Sequence, residues 1–274
     1  MDTRRVAVRS QLLRFLNTRK KQDNNYFIAR GILDHFHGIS DMTINELAEM
    51  CYVSVAAVSR FIRLLDFPSY GAFKEAVEKE IDIGRDYSTK MRALPEDQKE
   101  HFISEYTGNL IENLSYVRDR ISVEQLCDIV SEIHKAEDVG VFGLEFAAFM
   151  GQHFQNKMAS MDKTIHTGFT IEEQLELIQK IAPDGLAMIF SMEGGFFYFY
   201  EKVIDALKEK RVKIIAFTMK DSSIIQRSAD IVIACGTINE DTEWRLSILY
   251  MMELLIYYYM QAYHREIHVD VSEK

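Results

Sequence analysis

The chain has 274 residues, a length typical of about two domains at roughly 100–200 residues each. Hydrophobic residues make up 47% of it, and three prolines with thirteen glycines exclude a low-complexity or collagen-like protein. Three widely spaced cysteines argue against a disulfide framework or a zinc site and are typical of a reducing cytosol. We find no apolar leader or membrane-spanning run, so we expect a soluble cytoplasmic protein without a membrane partner.

The net charge of −10 is distributed unevenly along the chain. Residues 1–85 contain thirteen Lys/Arg and eleven Asp/Glu, which gives +2, whereas residues 86–274 contain nineteen and thirty-one, which gives −12. A surface that approaches DNA must avoid net repulsion, and only the N-terminal part does so. Many ordinary domains share a bias of +2, so the charge alone does not identify a DNA-binding domain.

The first 83 residues have a helical pattern throughout and predict an all-α domain. Thr43 and Glu46 form an S/T-x-x-E capping box at the start of one helix, and Ser54 is placed to cap the next. A break around Pro68 precedes a last helix predicted at about residues 72–81. Residues 84–100 are polar and predict a linker.

Residues 101–274 predict a second, α/β domain. After two helices that end near Ile133, short apolar runs alternate with helical patterns. Such alternation is typical of a parallel sheet covered by helices on both faces, here a five-stranded αβα sandwich. A final long helix, residues 243–264, is apolar on more than one face, so we expect it to cover the sheet and to contact a second subunit. The strands are predicted at residues 139–142, 164–166, 186–190, 213–217 and 231–234.

Two capped helices joined by a tight turn are the arrangement of a helix-turn-helix. In the second helix we predict an inward face of Val55, Val58, Phe61, Ile62 and Leu65. Small residues on its other face would let it enter the major groove. The Ser54 hydroxyl and Arg63 are suited to contact phosphates, and Arg60 is suited to contact a guanine edge or a phosphate. An ordinary helical hairpin is the alternative interpretation. The predicted DNA-contacting residues are Ser54, Ala56, Ala57, Ser59, Arg60 and Arg63.

The segment from Thr43 to Lys74 closely resembles the helix-turn-helix of the RpiR/MurR-type transcriptional regulators. It contains the I-x-E-L-A core at residues 44–48, then a serine and V-x-R-F at residues 58–61, while Asp66 stands where the family usually has glycine. The resemblance implies binding to a double-stranded DNA operator. It also implies a sugar-isomerase-like (SIS) domain after the linker, which in the family binds phosphosugars at the carboxyl ends of the parallel strands.

The two loops that hold the phosphate in such SIS domains are altered here. The family's G-x-G-x-S loop has Glu145 at its second glycine and Ala147 at its serine, and the S-x-S-G-x-T/S loop has Glu193 and Phe196 at two hydroxyl positions. Each lost hydrogen bond to a phosphate removes about 1.5–3 kcal/mol. A carboxylate about 4 Å from a phosphate adds up to about 4 kcal/mol of repulsion per charge pair. The effector residues implied by the resemblance are Gly143, Glu145, Ser191, Glu193, Gly194, Gly195 and Thr218.

Three interpretations of this site remain open: a sugar-derived or other small-molecule effector with amine or hydroxyl groups, a domain that binds nothing and only assembles, or a phosphate still held through the remaining residues. No catalytic residue, metal or cofactor is predicted. The alternative to a regulator is a SIS-fold sugar-phosphate isomerase, or a ligand-binding protein whose helical domain serves assembly. Paired half-sites in DNA favour a homodimer or homotetramer.

Overall fold

The computed structural model describes residues 8–88, 99–144, 146–219, 222–238 and 242–263. The chain divides into two compact units, Met1–Arg92 and Ala93–Lys274. Within the part described, no helix is long and apolar enough to cross a membrane.

The N-terminal unit is all-helical, as predicted. Each of the five α-helices in its described part contributes fully buried apolar side chains to one core, for example Leu12, Ile32, Leu47, Phe61 and Phe73. Short helices of this kind depend on such shared burial, since isolated helices of this length are marginal in water. The helices are α1 (Val8–Thr18), α2 (Asn24–Asp34), α3 (Ile44–Met50), α4 (Val55–Leu64) and α5 (Tyr70–Ser88), with a 3₁₀ turn at Phe36–Gly38 between α2 and α3.

Helix α5 is longer than the sequence pattern predicts. It continues to Ser88 rather than ending near Ile81, so the first residues of the predicted linker 84–100 are helical. Residues 82–88 contain no proline, and the single Gly84 costs a helix only about 1 kcal/mol. Polarity alone therefore did not mark the end of this helix.

The C-terminal unit is built around a five-stranded sheet whose strand order is β2-β1-β3-β4-β5, with every pair parallel. This confirms the predicted αβα sandwich. The strands are β1 (Val139–Gly143), β2 (Ile165–Thr167), β3 (Leu186–Phe190), β4 (Lys213–Thr218) and β5 (Ile231–Ala234). The helices are α6 (Lys99–Arg120), α7 (Val123–Lys135), α8 (Phe146–Ala159), α9 (Ile171–Lys180), α10 (Gly195–Phe199), α11 (Glu201–Glu209), α12 (Ser223–Ser228) and α13 (Trp244–Tyr263).

Alternate residues of the central strands enter two separate cores. In β3, Met188 lies in the core beneath α7, α8 and α13, whereas Ile189 lies in the core beneath α9, α10 and α11. Because successive strand side chains point to opposite faces, a strand covered on both sides must be apolar at nearly every position. The short apolar runs of the sequence therefore located all five strands.

Helix α13 covers one face of the sheet, as its composition predicts. Its inward side chains are fully buried, and its C-terminal end packs on α7, where the His134 ring stacks 3.7 Å from the Tyr263 ring. The hydroxyl of Tyr259 lies 3.2 Å from the Nδ1 atom of His134. Part of the helix is nevertheless exposed, including Leu246 and Tyr257.

Candidate DNA-reading helix and effector site

The helix-turn-helix is formed by α3 and α4, and each helix starts at the predicted cap. The Thr43 hydroxyl accepts a hydrogen bond from the Glu46 N–H at 3.2 Å, and the Thr43 N–H donates to the Glu46 carboxylate at 2.7 Å. These bonds from Thr43 hold the pKa of Glu46 below its usual value. At α4, the Ser54 hydroxyl accepts from the Ala57 N–H at 3.2 Å. Both capping predictions are confirmed.

Left-handed residues end both helices of the motif. Tyr52, at the turn between α3 and α4, has φ +54°, and Asp66, after α4, has φ +63°. Glycine adopts this conformation freely, whereas other residues are strained in it, with asparagine and aspartate the most tolerant. The glycine that the family usually has at the position of Asp66 therefore has a physical reason, and aspartate is a tolerable replacement.

The outward face of α4 differs from the prediction at two positions. Ala57 is only 5% exposed and belongs to the core, whereas Val55 is 38% exposed. At 100° per residue, the buried positions 57, 58, 61, 62 and 65 form one arc that includes Ala57 and leaves Val55 at its edge. Ala57 is therefore withdrawn as a DNA-contacting residue.

The other predicted contact residues lie on the free face of α4. Ala56, Arg60 and Arg63 are exposed, and Ser59 is half-buried. Backbone N–H groups in the first turn of a helix have no partner within the helix, so the start of α4 at Ser54 presents donors suited to a phosphate. This face combines a small N-terminal end with two cations farther along.

The second candidate site lies where the strand order of the sheet reverses. β2 and β3 lie on either side of β1, so the connections after β1 and β3 leave in opposite directions. Ligands of doubly wound sheets bind at this switch point, outside the carboxyl ends of the strands. Gly143 and Phe190, the last residues of β1 and β3, are register partners here.

A buried glutamine side chain is hydrogen-bonded to the backbone at the end of β1. Gln174 of α9 is fully buried, and its Nε2 donates to the Gly143 carbonyl at 2.7 Å and to the Gly168 carbonyl at 3.0 Å. A side chain at Gly143 would clash, since a Cβ there would lie 2.4 Å from the Cβ of Ala147. Glu145 lies outside the described residues. Gln174 was not among the residues predicted for this site, although a polar residue on the apolar face of α9 was a detectable signal.

The loop after β3 is folded onto itself and onto the end of β4. The Ser191 hydroxyl is buried and accepts from the Phe196 N–H at 3.1 Å. The Thr218 hydroxyl donates to the Met192 carbonyl at 2.9 Å. Ser191 and Thr218 thus lie near each other at the carboxyl ends of β3 and β4. Each hydroxyl already makes a hydrogen bond within the protein.

The remaining predicted residues of this loop are also in place. Gly194 is left-handed with φ +84° and precedes the short helix α10, which starts at Gly195. Glu193 is exposed. The aromatic side chains that follow are mostly core, since Phe196 and Phe197 are 3% and 2% exposed. Phe196, at a family hydroxyl position, is therefore directed into the fold and adds no donor.

Neither unit contains a recognisable metal centre within the described ranges. No group of three or more His, Cys, Asp or Glu side chains is placed there to hold a metal ion.

Both units match the models of known domain families. A helix-turn-helix domain model of the rpiR family matches residues 11–83, and a SIS domain model matches residues 132–263. The uncharacterized HTH-type transcriptional regulator YbbH of Bacillus subtilis (strain 168) is 26% identical over 236 residues, which cover 83% of this chain and 82% of YbbH.

Two solved structures have a similar fold. Vibrio vulnificus NanR, complexed with ManNAc-6P, aligns with a TM-score of 0.51 at 16% identity over 94% of this chain and 92% of that one. The sugar isomerase domain of an RpiR transcription factor from Sphaerobacter thermophilus aligns with a TM-score of 0.51 at 19% identity, over 61% of this chain and 92% of that one.

A capped helix-turn-helix followed by a doubly wound SIS domain defines a DNA-binding transcription regulator. The chain combines the helix-turn-helix domain of the rpiR family with a SIS domain, the architecture that the segment from Thr43 to Lys74 predicted.

Proposed function

We propose that the outward face of α4 reads the operator. The observation that supports this most directly is the exposure of Ala56, Arg60 and Arg63 on a helix whose opposite face is fully buried. Small residues at the start of the helix allow close approach to the groove. Arg60 then contacts a guanine edge or a phosphate, while Arg63 and the cap at Ser54 contact phosphates.

The test is a titration of the full chain against a DNA duplex selected from a random pool, at several salt concentrations. Arg60→Ala is expected to weaken binding by about 1–3 kcal/mol if Arg60 contacts a base, and Arg63→Ala to reduce the salt slope by about one. Arg120→Ala removes an exposed cation from the other unit and is the control. Unchanged affinity and salt slope in both α4 variants would refute the assignment.

The second part of the proposal concerns the effector. A sugar derivative bearing hydroxyl or amine groups binds at the carboxyl ends of β1 and β3, without the phosphate grip of the family pattern. The support is that the side chains of Ala147 and Phe196 are buried and carry no donor, while the Ser191 hydroxyl already accepts a hydrogen bond from the Phe196 N–H. The exposed carboxylate of Glu193 disfavours an anion at this edge.

Thermal unfolding of the full chain with neutral sugars, amino sugars and sugar phosphates tests this part. We expect stabilisation by a neutral or amino sugar, in proportion to the logarithm of its concentration above its dissociation constant. Ser191→Ala should leave the overall fold intact, since a neighbouring backbone group is its bonding partner. Stabilisation by sugar phosphates that Ser191→Ala abolishes would contradict the proposal.

The chain acts, in this proposal, as a regulator without isomerase activity. Catalysis on a sugar phosphate needs a firm grip on the substrate as well as an acid or base, and the grip is the part that is altered. Residues 1–83 form the DNA-binding domain, residues 84–100 the linker, and residues 101–274 the sensing and assembly domain. The division between the two compact units falls inside this linker.

The regulator is proposed to work in the cytoplasm as a homodimer or homotetramer. One helix-turn-helix gives little affinity, whereas two that bind half-sites simultaneously give much more. The exposed apolar side chains of α13, Leu246 and Tyr257, are available for a subunit contact. Sedimentation equilibrium of the full chain tests this, and a monomer at micromolar concentration would contradict it.

A further inference from the structure

A cleft of about 430 Å³ lies at the opposite end of the sheet from the candidate effector site. Its charged lining residues are Lys208, Arg211, Lys213, Arg227 and Asp230, and we call it the basic cleft. Lys213 is the first residue of β4, a six-residue strand. At about 3.3 Å per residue, the basic cleft is about 16 Å from the carboxyl end of that strand.

Hydrogen bonds to uncharged carbonyl groups hold the cations at the rim of the basic cleft. The Lys208 ammonium donates to the Arg227 carbonyl at 3.1 Å, and the Arg227 Nε donates to the Ser223 carbonyl at 3.1 Å. These bonds position the two side chains without neutralising them. Each guanidinium has five N–H donors, so one such bond leaves most of the Arg227 fork available.

The charges of the basic cleft sum to a positive value. Lys213 is neutralised by an ion pair with Glu132 at 2.7 Å. The three remaining cations against the one carboxylate of Asp230 give +2, and that carboxylate already accepts from the Ile214 N–H at 2.7 Å. This positive site stands out because residues 86–274 together carry −12.

Arg211 is held in a conformation that glycine adopts more easily. It has φ +59° at the turn before β4, and its side chain is exposed. A residue other than glycine is strained in this left-handed region. The Arg211 N–H donates to the Lys208 carbonyl at 2.9 Å and the Val212 N–H to the Leu207 carbonyl at 3.0 Å, so this residue ends helix α11 and leaves an exposed cation at the rim of the basic cleft.

We propose that the basic cleft binds the phosphate group of a small phosphorylated metabolite. Guanidinium forks match phosphate oxygens in pairs, and Lys208 adds a point charge. The volume lies within the usual range for small-molecule sites, and Val212 and Ile214 also line the cleft. A concave site in a unit of strongly negative net charge suits a small anion better than a DNA backbone, which such a unit repels.

Titration calorimetry of the full chain with pyrophosphate, at constant ionic strength, tests the proposal. We expect saturable binding that weakens about tenfold or more in the double variant Arg211→Gln/Arg227→Gln, since both forks are lost. The charge-matched double variant Arg120→Gln/Lys157→Gln, outside the cleft, should stay within about twofold of the unchanged chain. Ser191→Ala should do the same, because Ser191 lies at the other end of the sheet.

Three results would overturn the proposal. One is the absence of pyrophosphate binding, and another is equal affinity in the Arg211→Gln/Arg227→Gln variant. The third is loss of binding in Ser191→Ala, which would place the phosphate at the carboxyl ends of the strands. If the unchanged chain binds no pyrophosphate and the Arg211→Gln/Arg227→Gln variant binds the operator more weakly, the basic cleft would be a DNA-binding site. Equal unfolding midpoints, followed by the fluorescence of Trp244, show that each variant is folded.

Discussion

Replacing Gln174 by leucine should destabilise the carboxyl end of the sheet. Leucine has a similar volume but cannot donate to the Gly143 and Gly168 carbonyls, which the glutamine Nε2 reaches at 2.7 and 3.0 Å. Each buried carbonyl that loses its donor costs about 1–3 kcal/mol, which gives about 2–6 kcal/mol for two. The greater apolarity of leucine offsets part of this, so the expected net loss is about 2–3 kcal/mol.

The single tryptophan of the chain makes this loss measurable in the C-terminal unit alone. Trp244 packs edge-to-face on Phe146 with ring centroids 5.6 Å apart, so its fluorescence reports the unfolding of this unit. With a urea dependence of about 2–3 kcal/mol per M, the midpoint should fall by about 1 M. Gln179→Leu, an exposed position on the same helix, is the matched control. Equal midpoints for the two variants would refute the assigned role of Gln174.

Three further predictions concern stability and reactivity. Although burial raises the pKa of Asp138, hydrogen bonds from the Ala182 N–H and from His166 hold it below its usual value. The charged form of Asp138 therefore stabilises the folded chain fully above the unfolded pKa of about 3.9. At pH 7 the unchanged chain should be about 1.5–3 kcal/mol more stable than Asp138→Ala. Thermal melts should show this difference in stability disappearing as the pH falls through the folded pKa. Asp66→Gly should raise the stability of the N-terminal unit by up to about 1 kcal/mol in circular-dichroism melts, because φ +63° suits glycine; a loss of stability would contradict the strain argument. Cys127 is exposed and the other two thiols are buried, so a thiol reagent should modify one cysteine rapidly in the native chain, and three fast reactions would contradict the burial.

The fold was largely predictable because its signals are local. The capping residues Thr43 and Ser54 mark helix starts by their own hydrogen bonds, and each buried strand is a short apolar run. The details that failed depend on neighbouring elements instead. Which of Ala57 and Val55 lies on the buried face of α4 depends on where the other helices pack. The end of α5 could not be predicted from polarity, because polar residues do not end a helix.

The candidate sites were predictable only in part. The sequence identified the loops at Gly143 and Ser191, because the family pattern and the ends of apolar strands coincide there. It did not identify the bond from Ser191 to Phe196 or the role of Gln174, because both join segments that only the folded sheet brings together. The basic cleft was missed for the same reason: Lys208, Arg211 and Arg227 are spread over twenty residues of an acidic unit.

If paired copies of α4 read an operator, footprinting of the full chain on a duplex selected from a random pool should reveal both copies. We expect two protected patches whose centres are about 10–10.5 base pairs apart, or a multiple of that spacing. Arg60→Ala, at the same protein concentration, should weaken both patches together. A single patch, or protection that Arg60→Ala leaves unchanged, would contradict the claim.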